Sequence, residues 1–456
     1  MTAIAERSLQ SGLHDLVTSL LEKWKVPGIA IATWQDGEVR DAAFGVANLE
    51  TQQPVTPGTL FQVGSITKVF TATAVMQLVD GWRVDLDAPV TRYLPEFRLS
   101  TAEATEALTV RHLLTHHTGF WGDDFTPQGE GDDALSRAVA RLAGIRQLTA
   151  PGELWSYCNA GYQVLGAILE KFAGKPVEEV IRERVINAIG LERSTFRVDE
   201  AVLHPLAVGY NTVTTEEPEV ARPYAITRAM AAAGTIIGTV GDLLKFAEFH
   251  LGDGKAGDKR VLSPGALAEM QRVQVTAANM APYWGLGWWV QEEGGEKFFG
   301  HGGSTNGQRA NLTIVPGKRF ACAMLTNGSN GSAVYRLVER HLLEQAGAPR
   351  VDPEPVALDR TALQRFAGRY HSPGGDVTVN ASAGGLTLEM FARNPLTGAE
   401  YQAPTRHATP IGEAEFVITG TELEGSRFDF VRKADGAVRF LRFGGRLYEP
   451  AGAGEQ

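Results

Sequence analysis

Residues 65–79, SITKVFTATAVMQLV, constrain this chain more than any other stretch. Val69, Phe70, Ala72, Ala74, Val75, Met76 and Leu78 cover every side of a helix with 3.6 residues per turn. A helix that is apolar all round has no face to give to water, so other elements must wrap it. The chain has 456 residues, enough for a large core and more than one domain. Its 43% hydrophobic and 21% charged residues are the proportions of an ordinary globular protein.

Patterns on either side supply the wrapping. Leu9, Leu13, Leu16, Val17, Leu20 and Leu21 share one helical face. Residues 28–34 and 38–45 read as two strands joined at Asp36-Gly37, a hairpin turn. Residues 160–173 and 332–346 read as helices. The segments 298–300, 308–315 and 320–325 read as strands between Gly-rich and Pro-Gly-Lys turns. The expected class is α+β, an antiparallel sheet flanked by helices. Pro349, Pro353 and Pro355 then make a stiff linker. Beyond it, short alternating segments such as 377–379, 386–388, 415–418 and 438–441 predict a small β-barrel or sandwich. The expected division is a main domain 1–347, a linker 348–356 and a C-terminal β domain 357–456. The linker predicts a main domain that folds and acylates without the tail.

Charge and cysteine content narrow the classes. A formal charge of −10 argues against a nucleic-acid surface and against anionic lipid. The two cysteines, Cys158 and Cys322, make no disulfide framework and read as reduced thiols of a cytoplasmic protein. Residues 1–26 lack the apolar run of a secretory leader, and no stretch reaches the length of a membrane span.

Three short patterns carry chemistry. Ser65 and Lys68, three apart, lie on one helical face. At a helix start, free N–H groups and the dipole favour developing negative charge. A lysine desolvated among apolar residues has a lowered pKa and can take the serine proton. The four-residue pattern alone is expected by chance, and the plainer reading is an N-cap serine with a surface lysine. The apolar surround argues against that. Next, Tyr157 and Asn159 project the same way from an extended segment, toward a proton relay and an amide contact. The plainer reading is a buried tyrosine and an N-capping asparagine. Third, His301-Gly302-Gly303-Ser304 places glycines on a strand, where another backbone or a ligand can come close. The plainer reading is a Gly-rich turn.

In this order the three patterns resemble the Ser-x-x-Lys, Tyr-x-Asn and Lys/His-x-Gly motifs of serine β-lactamases and penicillin-binding proteins. Residues 61–68, 86–90, 110–119 and 285–290 are similar to other landmarks of that family, and the likeness runs over roughly residues 20–345. The resemblance implies a transpeptidase-like sheet with an all-helical subdomain between the first two motifs. It implies Ser65 as nucleophile, Lys68 and Tyr157 sharing the proton work, and His301 beside them. It implies Asn159 on the substrate amide, Gly303 and Ser304 lining the site, and an oxyanion hole from the N–H groups of Ser65 and Ser304. No metal or cofactor is implied. The partner is a small amide or ester, and room is left for a homo-oligomer.

His117-Thr118-Gly119 also fits the third motif but precedes Tyr157. It reads as a helix end with Gly119 at C′. His301 stands where β-lactamases usually carry lysine, which resembles the D-aminopeptidase and esterase branches. The tail from Leu363 resembles their lipocalin-like module. A histidine titrates near ~6.5 and is mostly uncharged at neutral pH, so it predicts poor β-lactam turnover and a pH limb partly its own. The acidic run Asp123, Asp124, Glu130, Asp132 and Asp133 reads as a solvated loop, with a substrate amine as the other reading. The expected activity is a serine hydrolase for D-amino-acid amides, peptides or small esters. A β-lactamase and an inactive binding protein of the same fold are the alternatives.

Overall fold

The computed structural model describes residues 11–212, 217–278, 280–394 and 398–452. Leu9, assigned above to the first helical face, lies outside them. Among the described residues, nine strands form one antiparallel sheet. They are β1 (Gly28–Gln35), β2 (Glu38–Asn48), β3 (Gln53–Pro54), β4 (Val275–Thr276), β5 (Tyr283–Trp284), β6 (Trp289–Glu293), β7 (Glu296–Thr305), β8 (Gln308–Val315) and β9 (Phe320–Thr326). Their order is 4-5-6-7-8-9-1-2-3, so the chain's first hairpin pairs with its later strands.

The side-chain period of 2 sorts each strand's residues between two cores. Ile29, Ile31, Cys322 and Met324 face helix α1 (Ser11–Trp24) and the long helix Gly331–Gln345. Ala30, Ala32, Ala323 and Leu325 face the other way, into the main core. Helix α2 (Thr67–Asp80) lies in that core with residues 67–76 buried. The all-round apolar pattern has this placement as its cause. The helical subdomain follows, with α3 (Val110–Leu114) and α4 (Asn159–Ala173) packed together.

The tail forms a second antiparallel sheet from β10 (Gly368–Ser372), β11 (Gly375–Ser382), β12 (Gly385–Arg393), β13 (Glu400–Gln402), β14 (Arg406–Pro410), β15 (Glu415–Thr419), β16 (Arg427–Arg432), β17 (Val438–Phe443) and β18 (Arg446–Pro450). Pairing of β11 with both β10 and β12 closes eight of these strands into a barrel, with β13 added on β12. Val377, Leu386, Leu388, Phe416, Phe428 and Leu441 fill its interior. No helix among the described residues is long and apolar enough to cross a membrane.

Candidate active site

Ser65 sits in a 3-10 turn, Gly64–Ile66, that leads directly into α2. In such a turn residues i and i+3 eclipse, which still stacks Lys68 beside Ser65. Gly64 has φ +54°, and a β-carbon there would lie 2.7 Å from the N atom of Ser304. A β-carbon on Gly303 would overlap the Val63 carbonyl oxygen. The two glycines therefore let the nucleophile turn press against strand β7. The structure gives Gly303 this packing duty, and it brings the Ser65 turn close to the backbone of Ser304.

Lys68 is fully buried. Its Nζ donates to Ser65 Oγ at 3.0 Å and to the Ala233 carbonyl at 2.7 Å. Burial holds the ammonium well below its ordinary pKa, and the Arg446 guanidinium pushes it further down. Tyr157, 4% exposed, has the Ser65 side chain within its electrostatic reach. Burial raises this phenol, while the neighbouring Ser65 and the charge of Arg446 pull the other way. Lys68 Nζ is 5.1 Å and Arg446 Cζ 4.6 Å from the centre of the Tyr157 ring.

Asn159 is the first residue of α4, and Cys158 is the cap, its Sγ accepting from the Gly161 N–H. Tyr157 and Asn159 are thus not two equivalent positions of one extended segment, and Asn159 is not the cap. Asn159 Nδ2 donates to Asp123 Oδ1 at 2.6 Å. Asp123 also takes Arg446 Nε at 2.9 Å. The acidic run divides accordingly. Asp123 belongs to the site, while Asp124, Asp132 and Asp133 pair with Arg141, Arg228 and Arg137.

His301 is buried beside Tyr157, ring centres 6.2 Å apart, and its Nδ1 bonds the Gly302 carbonyl at 2.6 Å. Burial, then Lys68, push its pKa down to about 3. The pH limb expected of His301 is withdrawn, because a desolvated imidazole next to Lys68 stays neutral across the working range. His117 is a packing residue, its Nδ1 near the Thr115 carbonyl. The left-handed residue that closes α3 is His116 at φ +60°; Gly119, also left-handed, lies further on in a tight loop against Thr149.

Three neighbours of Tyr157 escaped the sequence reading. His116 stacks on its ring with centres 4.2 Å apart. Trp284 meets it edge-on. Arg446 arrives from the barrel. Gly444 and Gly445, both at positive φ, form the tight turn between β17 and β18. The Gly445 carbonyl accepts from the Tyr157 N–H at 2.8 Å. Arg442 on β17 pairs with Asp429 and donates to the Trp155 carbonyl at 3.0 Å. A Gly-Gly turn between apolar segments is a legible hairpin signal. Nothing local says where its tip will dock. Beside the nucleophile turn opens a cleft of about 1120 Å³, lined in part by Gln62, Tyr224, Ile226, Arg228 and Thr235.

The β-lactamase family model matches residues 13–346. Penicillin-binding protein 4 of Amycolatopsis lactamdurans is 36% identical over 365 residues, 77% of this chain and 94% of that protein. A D-aminopeptidase of Brucella anthropi is 27% identical over 76% of this chain and 65% of its own length. Among solved structures, the crystal structure of SurE with D-Leu has a TM-score of 0.72 at 26% identity, covering 96% of this chain and 98% of that one.

Proposed function

This chain belongs to the β-lactamase family, and from that premise we propose that it is a serine hydrolase that forms an acyl-enzyme on Ser65. The observation that carries the reading is Lys68, fully buried with Nζ 3.0 Å from Ser65 Oγ. Burial acts oppositely on an amine and a phenol, so both Lys68 and Tyr157 are favoured in their neutral forms. That makes Lys68 the base and Tyr157 the relay.

Ser65 Oγ attacks the substrate carbonyl as its proton passes to the Lys68 amine. The N–H groups of Ser65 and Ser304 hold the oxyanion. The proton then moves through the Tyr157 hydroxyl to the departing nitrogen or oxygen, and the C–N or C–O bond breaks. Water attacks the acyl group by the reverse path and frees Ser65. Asn159, fixed by Asp123, faces the substrate amide.

The substrate class is a D-amino-acid amide, a D-residue peptide or a small ester. The D-aminopeptidase relative and the D-Leu of the SurE structure support that leaning. A neutral His301 gives a β-lactam carboxylate little attraction, which speaks against the β-lactamase alternative. Two buried, unpaired cysteines support a reducing, cytoplasmic setting.

A fluorophosphonate probe followed by intact-mass measurement tests the nucleophile. Labelling of the wild type and none of Ser65→Ala is expected. Labelling of Ser65→Ala sinks the proposal, and no labelling of the wild type favours the inactive binding protein. A panel of p-nitrophenyl esters, D- and L-aminoacyl p-nitroanilides and nitrocefin then ranks the substrates.

A further inference from the structure

We propose that His116 is a positioning residue for Tyr157, holding the phenol against Ser65 and Lys68 with its ring and its backbone together. The proposal rests on the reading that Tyr157 lies on the proton path.

The backbone at His116 is unfavourable. Helix α3 closes with the His117 N–H on the His112 carbonyl at 2.9 Å and the His116 N–H on the Leu113 carbonyl at 3.5 Å. This paired closure puts its C′ residue in the left-handed region, where glycine is usual because it has no β-carbon to clash. Here the residue is His116, φ +60°. A ring-bearing residue persists at such a place when its surroundings over-determine it.

The surroundings are the two residues that flank Tyr157. The His116 carbonyl accepts from the Ser156 N–H at 3.0 Å. The His116 Nδ1 accepts from the Cys158 N–H at 3.0 Å. Between these two ties the imidazole stacks on the phenol, 27° from parallel, with no exposure to solvent. One residue thus fixes the chain on both sides of Tyr157 and the ring itself.

The chemistry of the ring suits a fixed plate rather than an acid or base. With Nδ1 accepting, the proton resides on Nε2 and the imidazole is neutral. A second proton on Nδ1 would break the tie to Cys158. It would also bring a cation close to Lys68, Arg446 and His301, in a pocket that Tyr157, Tyr162, Cys158 and the Arg446-paired Asp123 also line. Burial and those neighbours hold the ring well below its ordinary pKa.

Three variants separate backbone, acceptor and plate. His116→Gly suits the left-handed backbone but loses both ring and acceptor. His116→Asn tolerates that backbone and keeps a side-chain acceptor for Cys158. His116→Phe keeps the plate alone. Ester turnover by His116→Gly should fall about 10²-fold in kcat with KM nearly unchanged, the scale of a small misplacement of a reacting group. His116→Asn should recover about 10-fold of that loss. In a Tyr157→Phe background the same His116→Gly change should cost less than about 3-fold, because groups acting as a unit are not additive. Thermal unfolding of each variant keeps stability separate from rate. Wild-type kcat in His116→Gly, or a loss carried over in full into the Tyr157→Phe background, overturns the proposal. A Tyr157→Phe enzyme with full activity defeats the reading of the site and takes this proposal with it. If His116→Gly does not fold, the Asn and Phe variants carry the same cycle.

Discussion

Lys68 and Tyr157 meet the same dry pocket with opposite consequences, and the kinetics should report both. Lys68→Ala and Tyr157→Phe should each slow acylation by about 10²–10⁴, and the double variant by far less than the product. Rapid-mixing measurement of acyl-enzyme formation checks this, and fully additive losses would mean two separate proton paths. The acid limb of the pH–rate profile should belong to Lys68. Its lowered pKa means that the active free amine is lost as pH falls through that value. Arg446 helps lower it, while Asp123 opposes. Arg446→Met removes the first effect and leaves Asp123 uncompensated, so the limb should move to higher pH. A limb that stays in place removes Arg446 from the electrostatics of the site. His301→Lys should raise nitrocefin affinity by adding a cation. It should not remove a native limb near neutrality, since His301 is held near 3 already. Loss of such a limb in the variant argues that His301 titrates after all.

At the scale of elements, the site depends on how closely the turn before α2 approaches strand β7. That approach is backbone on backbone, so it has no flexible side chain to give way. Gly303→Ala would place a methyl on the Val63 carbonyl, and Gly64→Ala would place one 2.7 Å from the Ser304 N atom at φ +54°. Each should cost about 1–3 kcal/mol of stability, as overpacking does. Each should also separate the N–H groups of Ser65 and Ser304 that we propose hold the oxyanion, and lower kcat by about 10²-fold or more, the worth of one such donor. Thermal melts and ester kinetics test both effects. A Gly303→Ala protein with unchanged kcat would show that the turn and the strand need not touch.

At the scale of the whole molecule, the barrel reaches the candidate site. We propose the division at 348–356, yet the two sides are joined by more than the linker. Arg439 pairs with Glu153, Arg146 with Glu449, and the tip of the β17–β18 hairpin lies against Trp155 and Tyr157. Removal of everything from Val351 onward uncovers Trp155, now 1% exposed, and deprives Tyr157 of its bond to Gly445 and of Arg446. The linker alone suggested undisturbed acylation in the truncated chain. The docked hairpin reverses that expectation, and Ser65 labelling should slow by about 10²-fold. The labelling rate of a soluble 1–350 chain measures it, and a rate equal to the full-length protein's would make the barrel's contact incidental.

The fold class and the central pair were legible because they rest on local rules. An all-round apolar helix has one fate, and strand-like segments between turn residues announce a sheet. Ser65 and Lys68 are three residues apart, so helical geometry alone sets them side by side. Tyr157 and His301 needed the family resemblance, since only the order of the motifs ties them to Ser65. The remaining contacts belong to the tertiary structure. Arg446 follows an ordinary Gly-Gly turn, Asp123 sits in an ordinary acidic run, and His116 ends an ordinary helix. What sets them around Tyr157 is the docking of the barrel on the main domain and the closure of α3 against the segment before α4. Those are long-range packing events. Burial also decides which of these groups keep their charge: the apolar run around Lys68 announced its lowered pKa, whereas the state of His301 was a property of the folded pocket and not of its place in the chain.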